Sequence, residues 1–189
     1  QGAVGVHLNL TEGRALSEPI RRCPRIADRD GAFCWTHHFV PKLERDEAHA
    51  VGNEWRAQIE RIVAAGIRPA HLDSHHHTHT SWPLGAIAMA LAREFGIPTI
   101  RLSRTFGPAP PKPHIRLYKL LYNERLRRRG FSRMAHFGDV RDVPAALPFA
   151  RGPIEPLQPP IRHGAPAIPV MNVLSRDLIE AVHPGPIDD

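Results

Sequence analysis

Apolar positions along the chain alternate between two periods. Residues 3–10 (AVGVHLNL) put Val6, Leu8 and Leu10 on one side and His7 and Asn9 on the other. That predicts a half-buried strand, ended by Thr11, Glu12 and Gly13. From residue 47 to 65 the period turns helical: Ala48, Val51, Trp55, Ile59 and Ile62 share a face, and Gly66 supplies the stop. A short strand is predicted over residues 68–74. Ser81 then stands where it can cap a helix, with Pro83 in the first turn and Leu84, Ile87, Ala88, Leu91 and Phe95 as the buried stripe. Gly96 closes that helix, residues 98–102 predict another strand, and Ile115, Tyr118, Leu121, Tyr122 and Leu126 again keep helical spacing. Strand and helix therefore alternate, the signature of a parallel sheet or barrel.

Two stretches break this rhythm. Residues 14–45 have no clean period and predict an excursion over a barrel mouth or edge, with a turn at Asp30-Gly31. Residues 144–169 contain eight prolines, too dense for a regular helix, and predict an irregular crossover at about 144–170. Residues 177–182 then predict a final strand ending at His183-Pro184-Gly185.

Length and charge narrow the picture. A chain of 189 residues suits one domain with a real core. It opens on Gln1 and runs straight into a strand, which reads as an internal piece of a longer protein. Lys plus Arg is 25 against 19 for Asp plus Glu, a net +6, and much of the excess lies at Arg21, Arg22, Arg25 and at Arg125, Arg127, Arg128, Arg129. Basic helix ends complement the helix dipole. No aromatics interleave with these arginines as a nucleic-acid stacking platform requires, so no nucleic-acid partner is expected. Cys23 and Cys34 form no CxxC pattern and are expected as reduced thiols. No run reaches the ~20 apolar residues of a membrane span.

The chemistry concentrates in residues 71–80 (HLDSHHHTHT), five of the chain's thirteen histidines around Asp73. Neutral imidazole with carboxylate is the usual donor set for zinc-like metals, and a strand end is where α/β enzymes place chemistry. If the stretch stays extended, His71, Asp73, His75, His77 and His79 share a face. If it coils, His75 and His79 stand one helical turn apart. An expression tag is a poor explanation of an internal run broken by Asp, Ser and Thr. An HExxH protease is disfavoured because His76 stands where the glutamate is required. His37, His38, His49, His114, His136 and His163 lack a supporting pattern and are expected to be structural or exposed.

Histidine thus stands at three predicted strand ends, at His7, in the 71–79 cluster and at His183, which converge if the strands are parallel and share a rim. Residues 5–13 (GVHLNLTEG), residues 71–79 and the late His183-Pro184-Gly185 resemble the YdjC-like carbohydrate deacetylase family, which includes chitooligosaccharide deacetylases. Residues 28–33 (DRDGAF), 54–60 (EWRAQIE) and 118–123 (YKLLYN) extend the resemblance, which covers residues 3 to about 143 and resumes at about 177.

The resemblance implies a TIM-like (β/α) barrel, here an incomplete piece lacking its N-terminal strands and C-terminal end. It implies one divalent metal ion, Mg²⁺ or Zn²⁺, held by His7, His75 and an aspartate from an Asp-Asp pair that does not precede His7 in this chain. That aspartate and the general base being absent, this piece is expected to be inactive. His183 matches the general acid. Asp73 is expected to fix a neighbouring imidazole. His77 and His79 are expected to line the sugar site or lend a fourth ligand. His76 is expected to point away from His75 as a structural residue. Arg101, at the next strand end, is expected to pair with a site carboxylate, bind substrate or form a buried ion pair. The implied reaction is deacetylation of an N-acetylated oligosaccharide, with a hopanoid-type glycolipid deacetylase or a non-catalytic metal- or sugar-binding module as alternatives. A cytoplasmic location is expected, and homodimerisation is left open.

Overall fold

The computed structural model describes residues 4–35, 40–103 and 111–131. Three strands, β1 (Gly5–Leu8), β2 (His71–Ser74) and β3 (Thr99–Ile100), form a parallel sheet in the order β1-β2-β3. The helices are α1 (Glu18–Arg21), α2 (Arg45–Ala64), α3 (Trp82–Glu94) and α4 (Pro113–Arg128). Strand–helix alternation and parallel pairing match the expectation; each strand is shorter than its apolar pattern.

Register sorts the sheet into two faces. Val6 pairs with Leu72 and Leu72 with Ile100, and these residues are buried in one core cluster with Val51, Trp55 and Ile59 of α2 and Leu84, Ala88 and Leu91 of α3. In the same ladder Gly5 pairs with His71 and His7 with Asp73, so the polar residues alternate onto the opposite face. Gly5 is where the backbone must come close: a Cβ there would run into the His71 ring. Trp55, fully buried at the centre of α2, is the largest anchor; truncating such a side chain to alanine costs about 3–5 kcal/mol.

The helix ends follow their sequence signals with two corrections. α2 begins in a capping box, Glu44 and Glu47 bonding each other's backbone amides, and Gly66 and Gly96 take positive φ beyond α2 and α3. Ser81 occupies the N-cap of α3, but its hydroxyl does not cap it. It accepts the Val40 amide at 2.9 Å instead and so ties the 14–45 excursion to the helix start. The stripe predicted for α4 is half right. Tyr122 and Leu126 are fully buried, whereas Ile115 and Leu121 are exposed together with Leu117 and Leu120.

The excursion is a packed layer. Ile20, Cys23 and Ile26 enter the core, and two isolated antiparallel bridges, Arg14 with Ala32 and Ala27 with Phe33, close it on itself. Glu54 of α2, fully buried, accepts the Leu16 and Ser17 amides at 3.1 and 2.7 Å. Buried carboxylate is tolerable because these donors satisfy it. Cys23 and Cys34 are free thiols.

Candidate functional site at the strand ends

The site is assembled where β1 and β2 end. Beyond Leu8, the Asn9 backbone is gripped by Gln58 of α2, which accepts the Asn9 amide at 2.8 Å and donates to its carbonyl at 2.9 Å. The Asn9 side chain then folds the next turn: its Oδ1 accepts the Thr11 and Glu12 amides, and its Nδ2 donates to the Glu12 carbonyl. That turn aims Glu12 at the histidines following β2.

After Ser74 the chain abandons the extended form. Residues His75–Thr80 make a tight 3₁₀ passage interrupted by left-handed backbone at His76 (φ 50°) and His77 (φ 59°). Neither alternative read from the sequence holds throughout: His71 and Asp73 share a face, but alternation stops at Ser74. No helical pairing joins His75 to His79.

His79 turns inward. It is fully buried, its Nδ1 accepts the Ser74 hydroxyl at 2.6 Å, and its Nε2 donates to the Arg101 carbonyl at 3.0 Å. These roles are assigned from the bonding network. Burial first, then the charge of Arg101, push its pKa down to about 3, so the ring is neutral at ordinary pH. Both His79 nitrogens are thus bonded within the fold, one to Ser74 and one to the Arg101 carbonyl. α4 clamps the same passage: Tyr122 donates to the His79 carbonyl at 2.6 Å and Tyr118 to the Thr80 carbonyl at 2.9 Å.

Asp73 sits at the junction. Its Oδ1 accepts from His7 Nδ1 at 2.5 Å, and its Oδ2 from Arg101 Nη1 at 2.9 Å. Burial alone would raise the Asp73 pKa; the His7 bond and the Arg101 charge outweigh it and hold it at about 2. Arg101 also donates to the Ser74 carbonyl at 3.2 Å and to His77 Nδ1. Its expected pairing with a site carboxylate and the buried ion pair are thus the same contact.

His7 and His75, distant in sequence, come together. His7 Nε2 lies 3.3 Å from His75 Nδ1, with the rings edge-to-face. On its other side His75 Nε2 lies 3.3 Å from Glu12 Oε2. His76 departs from its expectation. Instead of pointing away, its ring lies against His75 with centroids 4.1 Å apart, and its Nε2 is 3.8 Å from Glu12 Oε1. Among the described residues, Glu12, His75 and His76 offer ligand atoms within 4.8 Å of one another. Sequence reading took Glu12 only as a strand terminator; the Asn9-x-x-Glu12 spacing was the available signal. His183, the last predicted strand and the proline-rich stretch lie outside the described residues.

The arrangement defines a class first: a parallel α/β frame presenting imidazole and carboxylate donors at its strand ends. The model of the YdjC-like protein family matches residues 1–150, and the chain belongs to that family. A carbohydrate deacetylase of Enterococcus faecalis is 36% identical over 119 residues, covering 62% of this chain and 43% of that protein. One of Oceanobacillus iheyensis is 36% identical over 107 residues, covering 57% and 44%. A crystal structure of an E. faecalis protein described as a cellobiose-phosphate cleavage protein is 34% identical, covers 65% of this chain and 44% of that one, and has a TM-score of 0.45. The chain spans less than half the length of these relatives. Among the described residues, no helix is long and apolar enough to cross a membrane.

Proposed function

We propose that this chain carries part of the active site of a metal-dependent carbohydrate N-deacetylase, with His7 and His75 as metal ligands. The observation that carries the reading is the 3.3 Å approach of His7 Nε2 to His75 Nδ1, with Asp73 on the far side of His7. Two ligands each ~2.0–2.2 Å from one ion have donor atoms no more than about 4 Å apart, so the pair fits a shared divalent ion. The hydrogen bond to Asp73 places the His7 proton on Nδ1 and leaves the Nε2 lone pair for a metal. Arg101 keeps Asp73 ionised for that task.

A divalent ion bound here supplies Lewis acidity, polarising an amide carbonyl and acidifying water. The chain's own residues orient it and move protons. His183, by the resemblance of its His183-Pro184-Gly185 motif alone, is assigned to donate a proton to the leaving amine. The three-stranded parallel sheet is taken as an arc of a TIM-like barrel whose strand ends share one rim. The substrate class is an N-acetylated amino sugar, most simply a β-linked N-acetylglucosamine oligosaccharide; the relatives' names support the reaction class.

In the complete enzyme, metal analysis of His75→Ala and His183→Ala, with rates on a chitin disaccharide, tests the roles. His75→Ala is expected to lose the metal. His183→Ala is expected to keep it and to lower kcat by roughly 10²–10⁴, the span for a missing general acid. Full metal content in His75→Ala refutes the ligand assignment, and an undiminished rate in His183→Ala removes it from the acid role.

A further inference from the structure

We infer that Glu12 is a positioning residue for His75: it holds the imidazole proton on Nε2 and so leaves the Nδ1 lone pair facing His7. It does for the second proposed ligand what Asp73 does for the first. The inference deepens the reading above and rests on it for the use of that lone pair, though not for the contact itself.

The gap between the two rings is where the tautomer matters. Asp73 accepts the His7 Nδ1 proton at 2.5 Å, so the neutral His7 ring carries its lone pair on Nε2. The atom opposite, 3.3 Å away, is His75 Nδ1. Neutral His75 has two choices. With its proton on Nδ1 it donates to His7 Nε2, and that one bond closes the gap: it occupies the His7 lone pair and leaves none on His75 facing it. With its proton on Nε2, both lone pairs face the gap, an arrangement that is repulsive alone and favourable once a cation is shared. A group on the far side of His75 has to decide between the two.

Glu12 is that group. Its Oε2 lies 3.3 Å from His75 Nε2 and accepts the side-chain hydrogen bond from it. The two competing contacts of His75 are equally long, so the charge of the acceptor decides between them. A bond to a carboxylate is roughly twice as strong as one between neutral groups, which favours the proton on Nε2. The carboxylate is delivered there by the turn. Asn9 Oδ1 accepts the Thr11 and Glu12 amides at 2.9 and 3.2 Å, and Asn9 Nδ2 donates to the Glu12 carbonyl, which fixes the Glu12 backbone at both ends. Gln58 of α2 fixes Asn9 in turn. His76 bounds the other side: its Nδ1 is bonded to the Thr11 hydroxyl at 3.1 Å, its ring centroid is 4.1 Å from that of His75, and its Nε2 is 3.8 Å from Glu12 Oε1. One carboxylate oxygen therefore faces each histidine, the nearer one His75. The Glu12 side chain is 58% exposed, so replacing it opens no cavity in the core.

The tautomer is read directly in the metal-free complete enzyme, labelled with ¹⁵N-histidine, by long-range ¹H–¹⁵N correlation at about pH 8, above the ordinary imidazole range. The His75 proton is expected on Nε2 in the wild type. Glu12→Ala is expected to move it to Nδ1, whereas Glu12→Gln, whose amide oxygen still accepts, is expected to keep it on Nε2; His7 stays protonated on Nδ1 in all three. Zn²⁺ affinity, measured by competition with a chromophoric chelator, is expected to fall about 10–100-fold in Glu12→Ala, the usual effect of losing a ligand's outer partner, and less in Glu12→Gln. A wild-type His75 already protonated on Nδ1, or a tautomer that Glu12→Ala leaves unchanged, overturns the inference. So does a tautomer that shifts with no change in Zn²⁺ affinity. Failure of the ligand reading shows separately, as full metal content in His75→Ala, and the metal-free spectra still tell whether Glu12 holds the ring.

Discussion

His79 is fully buried with both ring nitrogens bonded inside the fold, whereas His76, three positions earlier, is exposed and set against Glu12. The inner group of Ser74, His79, Asp73 and Arg101 is buried and reaches outward at two points, from Asp73 to His7 and from Arg101 to His77. The outer group of Glu12, His75 and His76 lies nearer the surface, with His75 Nε2 3.3 Å from Glu12 Oε2 and the His76 ring set against His75. One decapeptide thus supplies both a buried scaffold and imidazoles at the rim. What separates them is the pair of left-handed residues, His76 and His77, at which the chain reverses from one environment to the other. Residue type alone carries no information about which imidazole goes where. Burial and bonding partners decide it.

The sharpest way to break the comparison is to open the inner group. Arg101 is buried, pairs with Asp73 at 2.9 Å and braces the Ser74 carbonyl. Arg101→Met leaves a buried carboxylate facing only His7, and breaking such a pair costs about 3–5 kcal/mol. Urea unfolding of the variant against wild type measures it. A loss below about 1 kcal/mol would place the pair among solvent-screened surface bridges.

Next in size is an acid effect from His79. Its folded pKa of about 3 lies below the unfolded value near 6.5, so the unfolded chain binds the extra proton between those values. Stability is therefore full above pH 6.5, falls as pH drops toward 3, and changes no further from this group below that. Asp73, held at about 2, adds its own loss only as pH falls below the ordinary carboxylate range. His79→Gln, which cannot titrate, is expected to flatten the slope of stability between pH 6.5 and 4.5 by up to a few kcal/mol. Parallel curves for wild type and variant from urea midpoints would contradict a buried neutral His79.

Much of the frame was legible in advance because strands and helices report through periodicity. α2 falls within two residues of its predicted start, and Val6, Leu8, Trp55 and Leu84 are buried as their spacing requires. The approach of His7 to His75 followed from parallel strands sharing one end. Ser81 was misread because its hydroxyl answers Val40, a partner 41 residues away that no local pattern shows. Glu12 reads as a turn residue from sequence because it stands two residues past the predicted strand. Only the Asn9 turn and the left-handed His76 together bring it to the histidines. Ile115 and Leu121 keep helical period yet stay exposed, since periodicity names a face without naming what covers it.

The smallest expected effect runs in the opposite direction and bears on the outer group alone. The φ of 50° at His76 is a conformation that a side chain with a Cβ disfavours. Glycine takes that conformation without a Cβ penalty, so His76→Gly is expected to stabilise the chain by about 0.5–1 kcal/mol after the extra freedom of the unfolded glycine is counted. His76→Ala keeps the Cβ and loses the Thr11 contact, and is expected to be neutral or slightly destabilising. Thermal unfolding of the two variants gives the comparison. Greater stability in His76→Gly with none in His76→Ala is the pattern of a strained backbone. Equal destabilisation by Gly and Ala would instead make His76 an ordinary packing residue and erase the division between the inner and outer groups.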